Sequence, residues 1–358
     1  MSLLRYGIIG SGTMGLEHIQ NIALIPDSTV TAIADTDAGS RASAAALAGE
    51  GVEVFEDYRD MLKQAPIDAV IIGTPNHTHR VVLEDIIRLR PLPVLIEKPL
   101  CASLQDARAM AEMGRDFGAP LWVAMEYRYM PPVARLIDEV RAGTAGTLHM
   151  LALREHRFPF LQKVGDWNRF ARNTGGTMVE KCCHFFDLMR LIMQDEPVRI
   201  YASGGQDVNH LDESYNGEMP DIIDNAFTIV DFKRGGRAAL DLCMFAEGAL
   251  DQEEIAATGD KARIECFIPR SEVVISRREP KAVDVIPIAV DQAVLDAGHH
   301  HGSTYYEHLA FQDAVRNGAP VEVTMDDGVR AVAMGAAAEQ SIVEKRPIEL
   351  DEELQPLD

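Results

Sequence analysis

Cysteine is scarce in this chain and unpaired in pattern. Cys101, Cys182, Cys183, Cys243 and Cys266 are odd in number and lack paired metal-ligand spacing, so neither a disulfide framework nor a zinc site is expected. Positive charge is also short: 34 Lys and Arg stand against 56 Asp and Glu, a formal net charge of −22. Such a field repels the phosphate backbone and anionic lipid alike, which argues against nucleic-acid and membrane-surface roles. No apolar run approaches the roughly 18 residues of a membrane span, and the N-terminus enters an apolar strand without a signal-peptide pattern, so a cytoplasmic home is expected. Internal repeats, long linkers, a nucleophile elbow and a P-loop lysine are missing too, which leaves acyl and phosphoryl transfer without a motif.

What is present is the composition of an ordinary globular protein, 47% hydrophobic and 25% charged over 358 residues. At about 150 residues per domain that length suggests two domains. Up to residue 124, short apolar runs alternate with helical stretches: Gly7–Ile9, Val30–Ala34, Val52–Phe55, Ala69–Ile72, Val94–Ile96 and Leu121–Ala124. Near-continuous apolar strands separated by crossover lengths predict a doubly wound parallel sheet of Rossmann type over residues 1–124. Ser103 is a helix start before Leu104 to Phe117, and a further helix follows Pro131-Pro132. Between residues 196 and 290 short strands recur with turn signals at Gly235-Gly236 and Gly259-Asp260, and two helices close the chain. An α+β domain with a large, mainly antiparallel open-faced sheet is therefore expected over residues 125–358. Its open face should be covered by a second copy, giving a homo-oligomer, dimer or tetramer.

Gly10-Ser11-Gly12-Thr13-Met14-Gly15 follows the first strand directly and opens the first helix. In that position the first glycine permits a tight turn, the second lets backbone N–H groups approach a pyrophosphate, and the third lets helix pack on strand. Asp35 ends the second strand about twenty residues further on, where a carboxylate accepts from the ribose hydroxyls and repels a 2′-phosphate. NAD is thus preferred, with NADP kept open by the nearby Arg41.

Two strand ends carry chemistry. Thr74, Pro75, Asn76 and His77 follow the fourth strand, and Glu97-Lys98-Pro99 follows the fifth, at the sheet edge where open α/β folds bind ligands. A desolvated Lys98 beside a cationic nicotinamide is expected to have a lowered pKa and to hydrogen-bond a reacting alcohol or carbonyl oxygen; an exposed loop lysine paired with Glu97 is the plainer reading. Further on, Gly175-Gly176 leads into a helix on which Glu180, His184 and Asp187, at i, i+4 and i+7, project from one side. A histidine so placed is kept basic and oriented for proton transfer, although a structural histidine satisfied by a carboxylate would look the same. Tyr127, Arg128, Trp167 and His300, the middle of a histidine triplet, are candidates for the substrate pocket. Adjacent histidine side chains diverge, so no metal is expected there.

Taken together, Gly10 to Gly15, Asp35, Thr74 to His77, Glu97-Lys98-Pro99, the glycine pair before His184 and Asp187, and the late Tyr305 to Phe311 helix resemble the family of glucose–fructose oxidoreductase, inositol dehydrogenase and the rhizopine catabolism protein. The resemblance spans nearly the whole chain. It implies oxidation of a secondary hydroxyl of a sugar, sugar acid or inositol-like polyol, or the reverse reduction, with Lys98 contacting cofactor and substrate, His184 as acid/base and Asn76 near the nicotinamide ribose. Glu180 and Cys182 stand where many members have aspartate and glycine. Glu180 and Asp187 then orient the imidazole or bind other hydroxyls. Two alternatives use the same fold: a non-catalytic NAD(P)-sensing regulator and an NAD-assisted glycosidase.

Overall fold

A computed structural model describes residues 3–357. Six strands, β1 (Leu4–Ile9), β2 (Ser28–Ala34), β3 (Glu53–Phe55), β4 (Ala69–Ile72), β5 (Val94–Glu97) and β6 (Leu121–Ala124), form a parallel sheet in the order β3-β2-β1-β4-β5-β6. Every residue of β4, β5 and β6 is buried, as strands covered on both faces require. The covers are helices α1 (Thr13–Ala23), α2 (Ala38–Ala48), α3 (Tyr58–Gln64), α4 (His79–Leu89) and α5 (Leu104–Gly114). Ser103 caps α5 by accepting from the Asp106 N–H, as the sequence predicts. Strand order reverses between β1 and β4, so their carboxyl ends open a crevice there.

Helix α6 (Pro131–Arg141) leads into the second half. Its strands are β7 (Leu148–His156), then, beyond the short helices α7 (Ala171–Thr174), α8 (Thr177–Glu180) and α9 (Cys183–Met193), β8 (Pro197–Gly205), β9 (Asn225–Phe232), β10 (Arg237–Cys243), β11 (Glu253–Gly259), β12 (Ala262–Ile268), β13 (Glu272–Arg277) and β14 (Ala282–Pro287). Helices α10 (Gln292–Asp296), α11 (Ser303–Asn317) and α12 (Met325–Glu344) precede a final short strand, β15 (Ile348–Glu349). The nine-stranded sheet runs β14-β13-β12-β11-β7-β10-β9-β8-β15, antiparallel except where β7 and β10 pair in parallel.

The central strand β7 is not visible in the sequence because its inward face carries Leu151, Leu153 and a fully buried Glu155, which breaks the apolar alternation. Edge strand β14 buries almost nothing and leaves equally little signal. Of the two expected glycine turns, Gly235 has a positive φ of 91°, but Gly259 does not. A Cβ on Gly259 would instead collide with the Ala145 carbonyl, so close backbone approach is its reason.

Two hydrophobic cores underlie the sheets. The first holds Tyr6, Ile8, Ile71, Leu95 and Trp122 together with Phe311, Val323 and Val332 from the end of the chain. The second is built on Leu136, Leu153, Phe185, Phe186, Leu240 and Ile264. Burying a side chain such as Phe311 contributes about 1.5–3 kcal/mol, so the C-terminal helices tie the two halves together. The Val123 N–H donates to the Val323 carbonyl at 3.1 Å, covering the β6 edge. Helix α12 packs against α5, α8, α9 and β8, which fixes α8 and α9 over the crevice.

Candidate active site

The crevice is a cleft of about 760 Å³ lined by the Gly10–Met14 loop, Asp35, the Thr74–Thr78 segment, Glu97, Lys98, Glu180, Lys181, His299, His300 and a segment running from Arg157 to Trp167. A Cβ on Gly10, whose φ is 88°, would sit 2.6 Å from Gly73 backbone atoms, and one on Gly15 would strike the Gly10 carbonyl. A Cβ on Gly12 would meet nothing within 4 Å. Two glycines therefore close the turn, and the third leaves open space before the N-terminus of α1, which no side chain caps. Unsatisfied N–H groups beside empty space suit a dinucleotide pyrophosphate. Asp35 accepts from the Ser11 and Asp37 N–H groups at 2.7 and 2.8 Å, which aims its carboxylate at the crevice. Arg41 is tied to the Asp35 carbonyl at 2.6 Å. These residues fit an adenosine ribose bearing free hydroxyls.

At the other end, residues from the first sheet meet α8. The Lys98 ammonium donates to the Glu180 carbonyl oxygen at 3.3 Å, and the Asn76 amide makes a short hydrogen bond to the Glu180 carboxylate. Glu97 is not the partner of the Lys98 ammonium; it accepts from the buried His18 at 2.8 Å. The lowered Lys98 pKa was expected beside a cationic nicotinamide; among the chain's own groups the pKa is raised. Burial opposes the charge, but the field of Cys183, Glu180, Glu126 and Glu97 outweighs it and holds the ammonium protonated.

His184 is not among the residues lining the cleft; it is 1% exposed and stacked on the Tyr127 ring at 4.0 Å between centroids. Its Nε2 faces a Glu126 carboxylate oxygen at 3.5 Å, and its Nδ1 has no hydrogen-bond partner. It is not kept basic, as the helical spacing suggested: burial, reinforced by Lys98, Lys181, His300 and Arg157, lowers its pKa well below the ordinary value. A neutral imidazole is a proton acceptor. Glu126 beside it is pushed up to about 7, chiefly by burial and against the pull of His300 and Lys98. Both of its carboxylate oxygens lack hydrogen bonds.

The grouping of Glu180, His184 and Asp187 on one helix face does not survive. The helix breaks at Lys181-Cys182, so Glu180 ends α8 while His184 and Asp187 lie on α9. Asp187 and Arg128 form a two-pronged ion pair at 2.5 and 2.6 Å behind the site, and neither lines the cleft. Tyr127 is likewise removed from the lining: it supports His184, and its hydroxyl accepts from Lys181 at 2.6 Å and donates to Glu253. Trp167 and His300 do line the cleft. His300 is held by Glu17 at 2.8 Å, while His301 turns away to Ser271.

Glu126, Lys181 and the Arg157–Lys163 segment were not singled out in the sequence. Glu126 stands at the carboxyl end of β6, the same edge as Asn76 and Lys98, which was a usable signal. The Arg157–Lys163 segment follows the unrecognised β7 and gave none.

Comparison with known proteins agrees with this architecture. Residues 4–125 match a model described as an oxidoreductase family NAD-binding Rossmann fold, and residues 137–350 match the C-terminal alpha/beta domain of the same family. The chain is 28% identical over 357 residues to a myo-inositol 2-dehydrogenase of Thermotoga maritima, covering 98% of this chain and 99% of that one. It is 26% identical over 339 residues to the rhizopine catabolism protein MocA of Rhizobium meliloti, covering 94% and 95%. Among solved structures, a probable dehydrogenase from Thermotoga maritima superposes with a TM-score of 0.79 at 26% identity, covering 97% of this chain and 98% of that one. A levoglucosan dehydrogenase in complex with NADH and levoglucosan shares the fold at TM-score 0.84 and 19% identity, covering 98% and 100%.

The Arg128–Asp187 pair generates a stability prediction. Arg128→Met leaves a buried carboxylate unpaired and is expected to lower unfolding free energy by about 3–5 kcal/mol. The double change with Asp187→Leu should recover much of that loss. Chemical denaturation of the three proteins checks it; equal stability of wild type and R128M would contradict this role of the pair.

Proposed function

The chain belongs to the Gfo/Idh/MocA oxidoreductase family, and from that premise we propose that it is an NAD-dependent dehydrogenase of a secondary hydroxyl on a sugar or polyol. The observation that carries the reading is the convergence of Lys98 and Glu180 at one end of a cleft whose other end is the glycine loop. Inositol and levoglucosan dehydrogenases among its relatives support the substrate class. NADP is disfavoured by the Asp35 carboxylate. A purely sensory role leaves the protonated Lys98 without a task, and nothing in the site favours the glycosidase alternative.

Bound NAD would supply the hydride acceptor. Lys98 donates a hydrogen bond to the reacting oxygen and stabilises negative charge as the O–H proton departs. That proton passes to the unpartnered Nδ1 of neutral His184, and the resulting imidazolium is stabilised by Glu126 across Nε2. Asn76 and Glu180 fix one another beside the reacting carbon, so Glu180 acts by positioning. Trp167 and His300 border the substrate, and Thr74, Pro75 and His77 border the cofactor. Four exposed apolar residues on the nine-stranded sheet, Met150, Phe227, Ile229 and Tyr201, support assembly into a dimer or tetramer. Its five free cysteines suit the reducing cytoplasm.

Lys98→Met should reduce NADH formation from an accepted polyol by about 10²-fold or more, with NAD affinity retained; unchanged turnover would remove the mechanism. Because Glu126 titrates near pH 7, oxidation should rise across that pH and the Glu126→Gln protein should lose this limb. Its folded pKa lies above the ordinary 4.5, so ionisation costs stability as pH rises from 4.5 to about 7, and that slope should also vanish in E126Q. Light scattering should return a multiple of the 39.4 kDa chain; a monomer would contradict the assembly.

A further inference from the structure

We infer that the substrate carries an acidic group, a carboxylate or phosphate, received by Lys163 and Arg157; this rests on the dehydrogenase reading and narrows its substrate class. The segment after β7 leaves the sheet and lies along the cleft, presenting Arg157, Phe158, Phe160, Lys163 and Trp167. Trp167 reaches His77 edge-on at 6.4 Å between ring centroids, so the segment faces the first sheet.

In a chain with 22 more acidic than basic residues, four basic side chains gather here: Lys98, Arg157, Lys163 and Lys181. Of the carboxylates around them, Glu126 is pushed toward its protonated form and three others are already hydrogen-bonded. Glu97 is bonded to His18, Glu180 to Asn76, and Glu155 to Lys181 at 2.8 Å. Arg157 donates from Nε to the Phe158 carbonyl at 3.2 Å, keeps a long 3.4 Å contact to the same Glu155 oxygen, and lies over the Phe158 ring. Among the described residues the Lys163 ammonium has no hydrogen bond or ion pair at all. It is half-buried, and burial lowers its pKa; like charge from Lys98 and Arg157 adds to that cost, which Glu180 and Glu97 offset only in part. A cation with no ion pair of its own, held near like charges in a partly dry cleft, is an electrostatic deficit that an incoming anion relieves.

The guanidinium offers a planar fork and the ammonium a mobile point charge, a pair suited to a carboxylate or phosphate. Both line the cleft that Lys98 and Glu180 also line, so an acidic group received there shares the cleft with the reacting hydroxyl. A neutral cyclic polyol would leave both cations unanswered.

The test uses the full chain with NAD and follows NADH formation from D-gluconate, D-galacturonate and D-glucose 6-phosphate beside myo-inositol and D-glucose. An acidic compound should have the highest kcat/KM. Lys163→Met should lower that value by at least about tenfold, mainly through KM, with less than about twofold change for a neutral compound or in the KM for NAD. Arg157→Gln should act in the same direction if K163M proves poorly folded. Trp167 fluorescence, titrated with the same acids in the presence of NAD, gives a binding signal independent of turnover.

A preference for the neutral compounds that K163M leaves unaltered would overturn the inference while leaving the dehydrogenase reading intact. A KM for NAD that rises equally with every substrate would reassign Lys163 to the cofactor phosphates and overturn it too. If no compound is oxidised, quenching by the acids that is lost in K163M would support the anion site while the redox reading fails; absence of quenching would overturn the site as well.

Discussion

Glu180 is where the two halves of the molecule are coupled. Its backbone carbonyl accepts from Lys98 and its carboxylate from Asn76, so a four-residue helix of the second half is bound to two strand ends of the first. Strand ends of a parallel sheet offer only loops to a ligand, and loops are held in place by what packs against them. Here that support comes from α12, which runs behind α8 and α9 and also touches α5. The cleft is therefore a property of the interface.

Charge follows the same logic. The protein as a whole is strongly acidic, yet Lys98, Arg157, Lys163, Lys181 and His300 all line its cleft, alongside carboxylates that include Glu97 and Glu180. Burial pushes His184 toward the neutral form and Glu126 toward the protonated one, while the field around Lys98 outweighs its desolvation and keeps it charged. Groups whose environments drive them apart in this way can divide donor, acceptor and electrostatic roles among themselves at one pH. Arg128 and Asp187 illustrate the opposite outcome: they neutralise each other and contribute rigidity behind the site.

Much of this was legible in the residues. All six strands of the first sheet, the glycine loop, Asp35, Asn76 and Lys98 could be located because each depends on local pattern: apolar runs, a turn that only glycine permits, and position after a strand. Strand β7 was not legible, since a buried Glu155 satisfied by Lys181 looks like a solvated residue. The helical spacing of Glu180, His184 and Asp187 misled, because nothing in the spacing reveals a break at Lys181-Cys182. Tyr127 and Arg128, expected in the substrate pocket, do not line the cleft, and it is Glu126 beside them that faces His184.

By itself, then, the sequence determined the doubly wound half, its dinucleotide loop and the preference for a ribose with free hydroxyls, because these are encoded within a few neighbouring residues. Only the tertiary structure decided which carboxylate faces His184, that Lys98 remains charged, and that Lys163 stands without a partner. Those outcomes depend on side chains far apart in the chain and on how much water the packing excludes between them, and neither quantity is written in any local stretch of residues.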